Sequence, residues 1–181
     1  MEAPAAFGVA PLTPALLADP IAFLSAEHAR QMALLAHLDR LARAPAARGA
    51  RVMAAVLLRW MAEDLPLNRD DEAASLHPRL RPHDAAGMLA RLAETERRDA
   101  EQGEACLPGL RAIAAGRRAE DDFPAQAAAF AQLHRARLDF VERRLMPLAR
   151  RVIAGDALRA LATEMAARRG VRGTAPCPTE A

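Results

Sequence analysis

The stretch DPIAFLSAEHARQMALLAHLDRLAR, residues 19–43, decides the fold because it carries a helix-start signal and a sustained helical period. Asp19 is a favourable N-cap, and Pro20 occupies the first helical position, where its missing N–H leaves no hydrogen bond unmade. Side chains then recur on one helical face: Leu24, His28, Gln31, Leu35 and Leu38. Because Ala44-Pro45 ends this pattern, the stretch predicts one long amphipathic helix.

Four more stretches have helical composition and periodicity, with predicted bounds of about 48–76, 84–102, 121–152 and 156–170. Prolines inside these patterns predict a kink or a one-turn defect at Pro66 and another kink at Pro147. Asp84 is the predicted cap of the third helix, whose pattern weakens over residues 103–109, although the segment up to Gly116 can resume it. β-branched residues are scarce and no alternating pattern is present, so no strand is predicted.

Four long helices with short connections favour an all-α fold, an up-down-up-down four-helix bundle with the short fifth helix added at one end. Residues 1–18 are predicted to form an extended N-terminal arm that packs loosely on the body. Residues 19–170 would form the bundle, and residues 171–181 a disordered tail. A length of 181 residues suits one domain, and an apolar fraction of 52% suffices for a core.

The composition excludes several classes of function. Lysine is absent, which rules out a Schiff-base lysine and a P-loop lysine. Aromatic residues make up 3% and the formal net charge is only +2, so we expect neither a nucleic-acid nor a membrane partner. Two cysteines are too few for a disulfide scaffold, no apolar stretch approaches a membrane span, and Met1 to Pro4 lack the basic start of a signal peptide. We therefore expect a cytoplasmic protein.

No phosphate-binding glycine motif, no zinc motif and no nucleophile–base pair is visible, so the sequence does not predict an enzyme. What remains is a set of polar side chains on the inward faces of four different helices: His28, Glu72, Thr95, His134, Arg137 and Glu142. Any one of them alone is typical of a satisfied core or boundary residue. Helical bundles also form buried metal sites from side chains on facing helices.

Several of these stretches, in their order and spacing, resemble the hemerythrin-like HHE cation-binding domains. The matching segments are DPIAFLSAEH (19–28), LPLNRDDE (65–72), LHP (76–78), LAET (92–95), LDFVE (138–142), LMPLA (145–149) and MAARRG (165–170). The resemblance covers roughly residues 19–170. It implies a four-helix bundle that holds a non-haem di-iron centre through five histidines and two carboxylates, and that binds small ligands such as oxygen or nitric oxide.

Only some of the family's ligand positions hold a matching residue in this sequence. Three of the seven positions match the family: His28, Glu72 and Glu142. The other four hold residues that bind iron weakly or, in the case of arginine, repel it: Asn68, Arg91, Thr95 and Arg137. A full di-iron centre is therefore not expected. A single weakly bound metal ion would use the three matching residues together with His134, which lies one helical turn before Arg137.

The alternative to a metal is an internal cation. Without metal, Glu72 and Glu142 would be buried and uncompensated, and an unpaired buried charge costs about 3–5 kcal/mol. Arg137, and with it Arg91, could supply the missing positive charge, so we hypothesise an Arg–Glu–His network in place of iron. The competing interpretation is that the stem of Arg137 carries its guanidinium to solvent while Glu142 is simply exposed.

Two functions from different classes remain open. The first is a hemerythrin-like protein whose di-iron site is lost or weakened, with no metal or one weakly bound ion. The second is a metal-free helical interaction or regulatory module that docks a protein partner. The second predicts an exposed apolar patch, for which the fifth helix is the candidate location.

Overall fold

The structure, a computed structural model, describes residues 9–171. Within that range helix is the regular secondary structure throughout and no strand occurs, so the predicted all-α class is confirmed. The α-helices are α1 (Pro20–Arg43), α2 (Ala50–Arg59), α3 (Leu65–Asp70), α4 (His77–Leu80), α5 (Met88–Ala114), α6 (Phe123–Phe140), α7 (Met146–Val152) and α8 (Gly155–Arg168). A 3₁₀ turn, Pro14–Ala18, precedes α1, and a second, Arg81–His83, follows α4.

Three π-helical turns join α2, α3 and α4 into one long segment, and α6 and α7 into another; α1 and α5 are the other two long segments. The turns are Trp60–Asp64 between α2 and α3, Asp71–Leu76 between α3 and α4, and Val141–Leu145 between α6 and α7. Each turn ends two positions before a proline, namely Pro66, Pro78 and Pro147. A proline ring clashes with the carbonyl four residues back, and a wider turn moves that carbonyl away. The one-turn defect predicted at Pro66 is therefore confirmed as a π turn.

The predicted start of the first helix and stop of the last are both present. Asp19 accepts a hydrogen bond from the backbone N–H of Ala22 at 2.9 Å, and α1 begins at Pro20. Gly170 follows α8 with a φ of 67°, in the left-handed region that glycine adopts without strain. Gly87, and not Asp84 as predicted, occupies the N-cap position of α5, but the Asp84 carboxylate still accepts from the N–H of Met88 at 2.7 Å, where the helix begins.

Two possibilities were open for the third helix, an end near residue 102 or a continuation toward Gly116, and the structure shows the second, because α5 continues through Pro108 to Ala114. The glycines that weakened the pattern serve close packing instead. A Cβ at Gly109 would lie 2.1 Å from a ring carbon of Phe123, and a Cβ at Gly103 would lie 3.4 Å from the ring of Phe130. Glycine is thus required at the first site by the neighbouring helix rather than by a helix end.

The four long helical segments enclose two separate apolar clusters. α1 contacts α2 and α6, and α5 also contacts α2 and α6. The large cluster includes Leu34, Leu57, Trp60, Leu110 and Phe130. The small cluster includes Leu24, Leu80, Leu92, Val141 and Leu161.

Buried polar side chains lie between the two clusters along each long segment. In α1, Leu24 belongs to the small cluster and Leu34 to the large one, with His28 and Gln31 between them. We call the buried polar residues of this region the polar layer: Glu27, His28, Arg30, Gln31, Asn68, Asp71, Glu72, Ser75, His77, Asp99, His134 and Arg137. Since an isolated buried charge is costly, the layer has to satisfy its own charges.

The ends of the chain and its surface bear on three further expectations. Within the predicted N-terminal arm, Val9 and Leu17 are buried against the body. Residues 1–8 of the arm and residues 172–181 of the predicted tail lie outside the described residues. The apolar patch expected around the fifth helix is absent: the large apolar side chains exposed within residues 9–171 are Leu16, Met32 and Val52, while α8 turns Leu161 and Met165 inward. None of the helices described has the length and apolar character needed to cross a membrane.

Candidate functional site

His28 lies between two carboxylates at the centre of the polar layer. Its Nε2 is 3.1 Å from Oε1 of Glu72, and its Nδ1 is 2.6 Å from Oε1 of Glu142. α1 supplies the histidine, and each glutamate belongs to a π turn, one in Asp71–Leu76 and the other in Val141–Leu145. His28 and Glu72 are buried, whereas the Glu142 side chain is 34% exposed. When protonated, the imidazole donates one N–H to each carboxylate.

Arg137 of α6 completes the central cluster from the other side of Glu72. Its Nη2 donates to Oε2 of Glu72 at 2.5 Å and to Oε1 of Glu96, from α5, at 3.1 Å. The Arg137 side chain is only 1% exposed, so its guanidinium does not reach solvent along its stem. The guanidinium therefore lies between two carboxylates from two different helical segments, where it acts as a fixed cation.

Electrostatics in this cluster favour the charged forms. Burial alone would raise the pKa of Glu72, but the Arg137 charge and the His28 hydrogen bond outweigh burial and hold that pKa well below its ordinary value. Burial alone would lower the pKa of His28, but hydrogen bonds to Glu142 and Glu72 raise it to about 9. Imidazolium and guanidinium thus supply two positive charges against three carboxylates, of which Glu72 is the buried one and contacts both cations.

His77 lies beside the central cluster, and its inward nitrogen, like Nε of Arg137, makes no hydrogen bond among residues 9–171. The residue is 9% exposed, its Nε2 lies 4.0 Å from Oε2 of Glu72, and that Nε2 has no hydrogen-bond partner among residues 9–171. Burial is the main cause that lowers its pKa, so the ring is neutral. Ligand atoms of Glu72, His77 and Glu96 all lie within 4.8 Å of one another, a separation compatible with one metal ion.

His134 belongs to a separate part of the polar layer. Its Nδ1 lies 2.8 Å from Oδ2 of Asp99, its Nε2 lies 2.8 Å from the side-chain amide of Gln31, and Arg69 donates to the same aspartate at 2.6 Å. Burial is the main cause that lowers the pKa of His134, so the neutral ring donates Nδ1–H to the carboxylate. Its Nε2 then accepts but faces Oε1 of Gln31, so this contact is a hydrogen bond only when the amide is turned over and its otherwise unpartnered NH₂ donates. The hydrogen-bonding groups of His134 are thereby engaged away from the central cluster.

A third part of the polar layer fixes α8 to the body. Asp71 is fully buried, and two consecutive arginines of the chain close over it: Nη1 of Arg168 lies 2.9 Å from Oδ1, and Nη1 of Arg169 lies 2.6 Å from Oδ2. Arg168 also donates to the hydroxyl of Ser75 at 2.7 Å. The closing helix is thus held by buried charge as well as by apolar contact.

The residues predicted to replace iron ligands do not all meet. Arg137 joins the central cluster, whereas Asn68 lies beside it, donating to Glu27 at 3.0 Å and accepting from Arg169 at 3.0 Å. Arg91 is exposed, and its guanidinium carbon lies 6.0 Å from the centroid of the Phe140 ring.

Thr95 is not brought into the central cluster either, since its hydroxyl donates to a carbonyl of its own helix at 3.5 Å. The physical reason is helix phase. The inward face of α5 passes through Leu92, Glu96 and Asp99, one position beyond the face that the sequence predicted.

A shallow cavity of about 300 Å³ reaches the outer side of the central cluster, and His28, Glu142 and Ser25 help to line it. Oγ of Ser25 donates to Glu142 at 3.4 Å and accepts from Nη2 of Arg150 at 2.8 Å. The hydroxyl is therefore bonded to a carboxylate and not to the imidazole. This arrangement does not activate the serine as a nucleophile.

The residues of the polar layer or its rim that escaped the sequence interpretation include Glu96, Asp99, Arg168 and Arg169. A signal existed for the first two, because they follow Leu92 at spacings of four and seven, which is helical periodicity. The two arginines carried no signal, since a paired Arg-Arg before a helix-stopping glycine is also typical of a solvated helix end.

Comparisons with protein-family models, with curated proteins and with solved structures find no match to this chain. The functional interpretation therefore depends on the geometry and charge of the polar layer.

Proposed function

We propose that the chain is a hemerythrin-like four-helix bundle in which an arginine–glutamate–histidine network replaces the iron centre, and that it acts as a metal-free interaction module for a protein partner. The contacts of α1 and α5 with both α2 and α6 support an up-down-up-down arrangement. The convergence of His28, Glu72 and Glu142 supports the kinship, because these are the three positions that match the family's ligands.

The position of the Arg137 guanidinium is the observation that carries the metal-free part of this proposal, and the interaction role is the alternative that remains without metal chemistry. It lies within hydrogen-bond distance of Glu72 and Glu96, the two carboxylates that a metal ion would need. Arginine stays charged at any accessible pH, so metal and guanidinium compete for the same oxygens. The Arg137 side chain is only 1% exposed, so a metal ion could displace it only by breaking a buried ion pair, which is unfavourable.

The residues present do not fit a di-iron centre. Such a centre requires several imidazole nitrogens, and His28, the single matching histidine, already bonds a carboxylate through each ring nitrogen. His134 is bonded to Asp99 and Gln31 instead of pointing into the central cluster. We therefore assign no oxygen or nitric oxide chemistry to this chain.

The second candidate function is the binding of one divalent cation by Glu72, His77 and Glu96. The unpartnered Nε2 of His77 favours it, because a buried nitrogen without a donor or a ligand is rare. This candidate requires Arg137 to leave the two glutamates. The two functions therefore differ in whether the Arg137 guanidinium stays bonded to Glu72 and Glu96.

Metal analysis of purified protein tests the proposal. We expect far less than one iron or zinc per chain after incubation with either metal and gel filtration, and the same unfolding midpoint with and without a chelator. His77→Ala serves as the matched variant, since it removes the free ligand and leaves Arg137 in place. One metal ion per chain that stabilises the protein and is lost in His77→Ala would replace our proposal with the second candidate.

A further inference from the structure

Two loops at one end of the molecule border an open groove with an apolar floor. The segment 44–49 joins α1 to α2, and the segment 115–122 joins α5 to α6. Residues of both loops line a cavity of about 840 Å³, and a second cavity of about 540 Å³ shares residues 47–50 with it. We call the two cavities together the arginine groove, after the six arginines that line it: Arg40, Arg43, Arg48, Arg51, Arg117 and Arg118.

The charge of this groove is out of proportion to that of the chain. Six arginines face two acidic residues, Glu120 and Asp121, which gives a formal charge of +4 against +2 for the whole protein. Asp121 is already paired with Arg118 at 2.6 Å. Five of the six arginines have no carboxylate within ion-pair distance among residues 9–171: Arg40, which bonds the ring of His37, and Arg43, Arg48, Arg51 and Arg117. Elsewhere in the structure most arginines are paired, so this end carries unused positive charge.

The floor of the groove is apolar and formed by the large cluster. Leu41, Met53, Ile113 and Phe123 line it from below, and Val52, one of the few exposed large apolar residues, lies at its edge with 37% of its surface accessible. An apolar floor bordered by cations is suited to a ligand that has both apolar groups and negative charges.

We propose that the arginine groove binds an acidic segment of a partner polypeptide, one in which carboxylates alternate with small apolar side chains. This inference names the partner chemistry of the interaction role proposed above, and rests on it. The arginines are distributed over two adjoining cavities, with Arg48 shared between them, rather than gathered around one point as a phosphate would require. The aromatic side chain of the lining, Phe123, is fully buried, so it offers no ring on which a nucleic-acid base could stack.

The test uses a fluorescein-labelled peptide of repeating Glu-Glu-Leu-Ala units and the full chain, with binding followed by fluorescence anisotropy. We expect saturable binding that weakens as salt is added, and no binding of the matching Gln-Gln-Leu-Ala peptide. The variant Arg48→Glu/Arg117→Glu should bind about tenfold more weakly or worse. Arg144→Glu/Arg151→Glu makes the same charge change on exposed residues outside the groove and should bind as the unmodified protein does.

Three outcomes would overturn the inference. The first is absence of peptide binding at low salt, and the second is equal loss of affinity in both charge-reversal variants, which would indicate a general attraction to basic surface. The third is tighter binding of an oligouridylate with the same dependence on Arg48 and Arg117, which would make the groove a nucleic-acid site. If the protein is metal-free but does not bind the peptide, only the proposed role of the arginine groove is excluded. If the protein holds stoichiometric structural metal, the proposed function is excluded whether or not the peptide binds.

Discussion

Removal of the Arg137 guanidinium should leave the buried carboxylate of Glu72 with only one of its two cationic partners, His28. Arg137→Met keeps much of the side-chain volume but removes the donor that lies 2.5 Å from Glu72, a residue 1% exposed. Breaking a buried pair on one side costs about 3–5 kcal/mol. A domain of this size is stable by about 5–15 kcal/mol, so the variant should lose a large part of its free energy of unfolding.

The loss should depend on pH in a way that identifies its cause. Without the guanidinium, the pKa of buried Glu72 rises, and the folded variant takes up a proton that the unfolded chain does not bind. Stability of Arg137→Met relative to the unmodified protein should therefore fall as pH increases between about 5 and 8, by up to about 1.4 kcal/mol per pH unit. A variant that had merely lost packing contacts would lose the same free energy at each pH.

Urea unfolding followed by circular dichroism measures these free energies. Arg135→Met is the matched control, because Arg135 lies two positions away in the same helix and pairs with Asp39 while both are about one-third exposed. It should cost at most about 1 kcal/mol. Adding Glu72→Gln to Arg137→Met should remove the pH dependence. The reasoning is refuted if Arg137→Met costs no more than Arg135→Met at neutral pH.

Three further perturbations test other parts of the structure. The pKa of His28 is about 9 in the folded protein, above its ordinary value of 6.5. Its protonation therefore stabilises the protein by about 3 kcal/mol below pH 6.5, and this stabilisation is lost as pH rises through 9. His28→Gln should abolish that part of the alkaline loss of stability, measured by urea unfolding. Arg168→Ala should destabilise the protein by about 1–3 kcal/mol because it removes a partner of the buried Asp71. Arg159→Ala breaks an exposed ion pair on the same helix and should change stability by less than about 0.5 kcal/mol in thermal unfolding. Equal effects of the two substitutions would contradict the role of buried charge. Gly109→Ala should lower the melting temperature, at about 1–3 kcal/mol, because its Cβ would meet a ring at 2.1 Å, while Gly103→Ala, at 3.4 Å, should be tolerated.

Local signals in the sequence were sufficient for the helices but not for their phase. Asp19, Pro20 and Gly170 give a start and a stop through chemistry that acts within one turn, so those bounds could be predicted. Proline at 66 likewise predicted a defect at its own position. The continuation of α5 past Gly109 was only one of two open possibilities, because the reason for that glycine is a ring on another helix.

The candidate site could be predicted only where it depends on one helix at a time. His28, Glu72 and Arg137 lie on inward faces that the periodicity of their own helices defines, and all three lie in the central cluster. Arg91 was predicted to join them and does not, because a shift of one residue turns the inward face of α5 to Glu96. A shift of about 100° around a helix axis is decided by packing against its neighbours, which local sequence does not encode.

A crystal structure with anomalous diffraction data at the iron and zinc edges, from protein incubated with both metals, tests the central claim most directly. We expect planar guanidinium density from Arg137 between Glu72 and Glu96, and no anomalous peak within reach of His77. An anomalous peak coordinated by those glutamates, with the Arg137 side chain turned away from them, would contradict it.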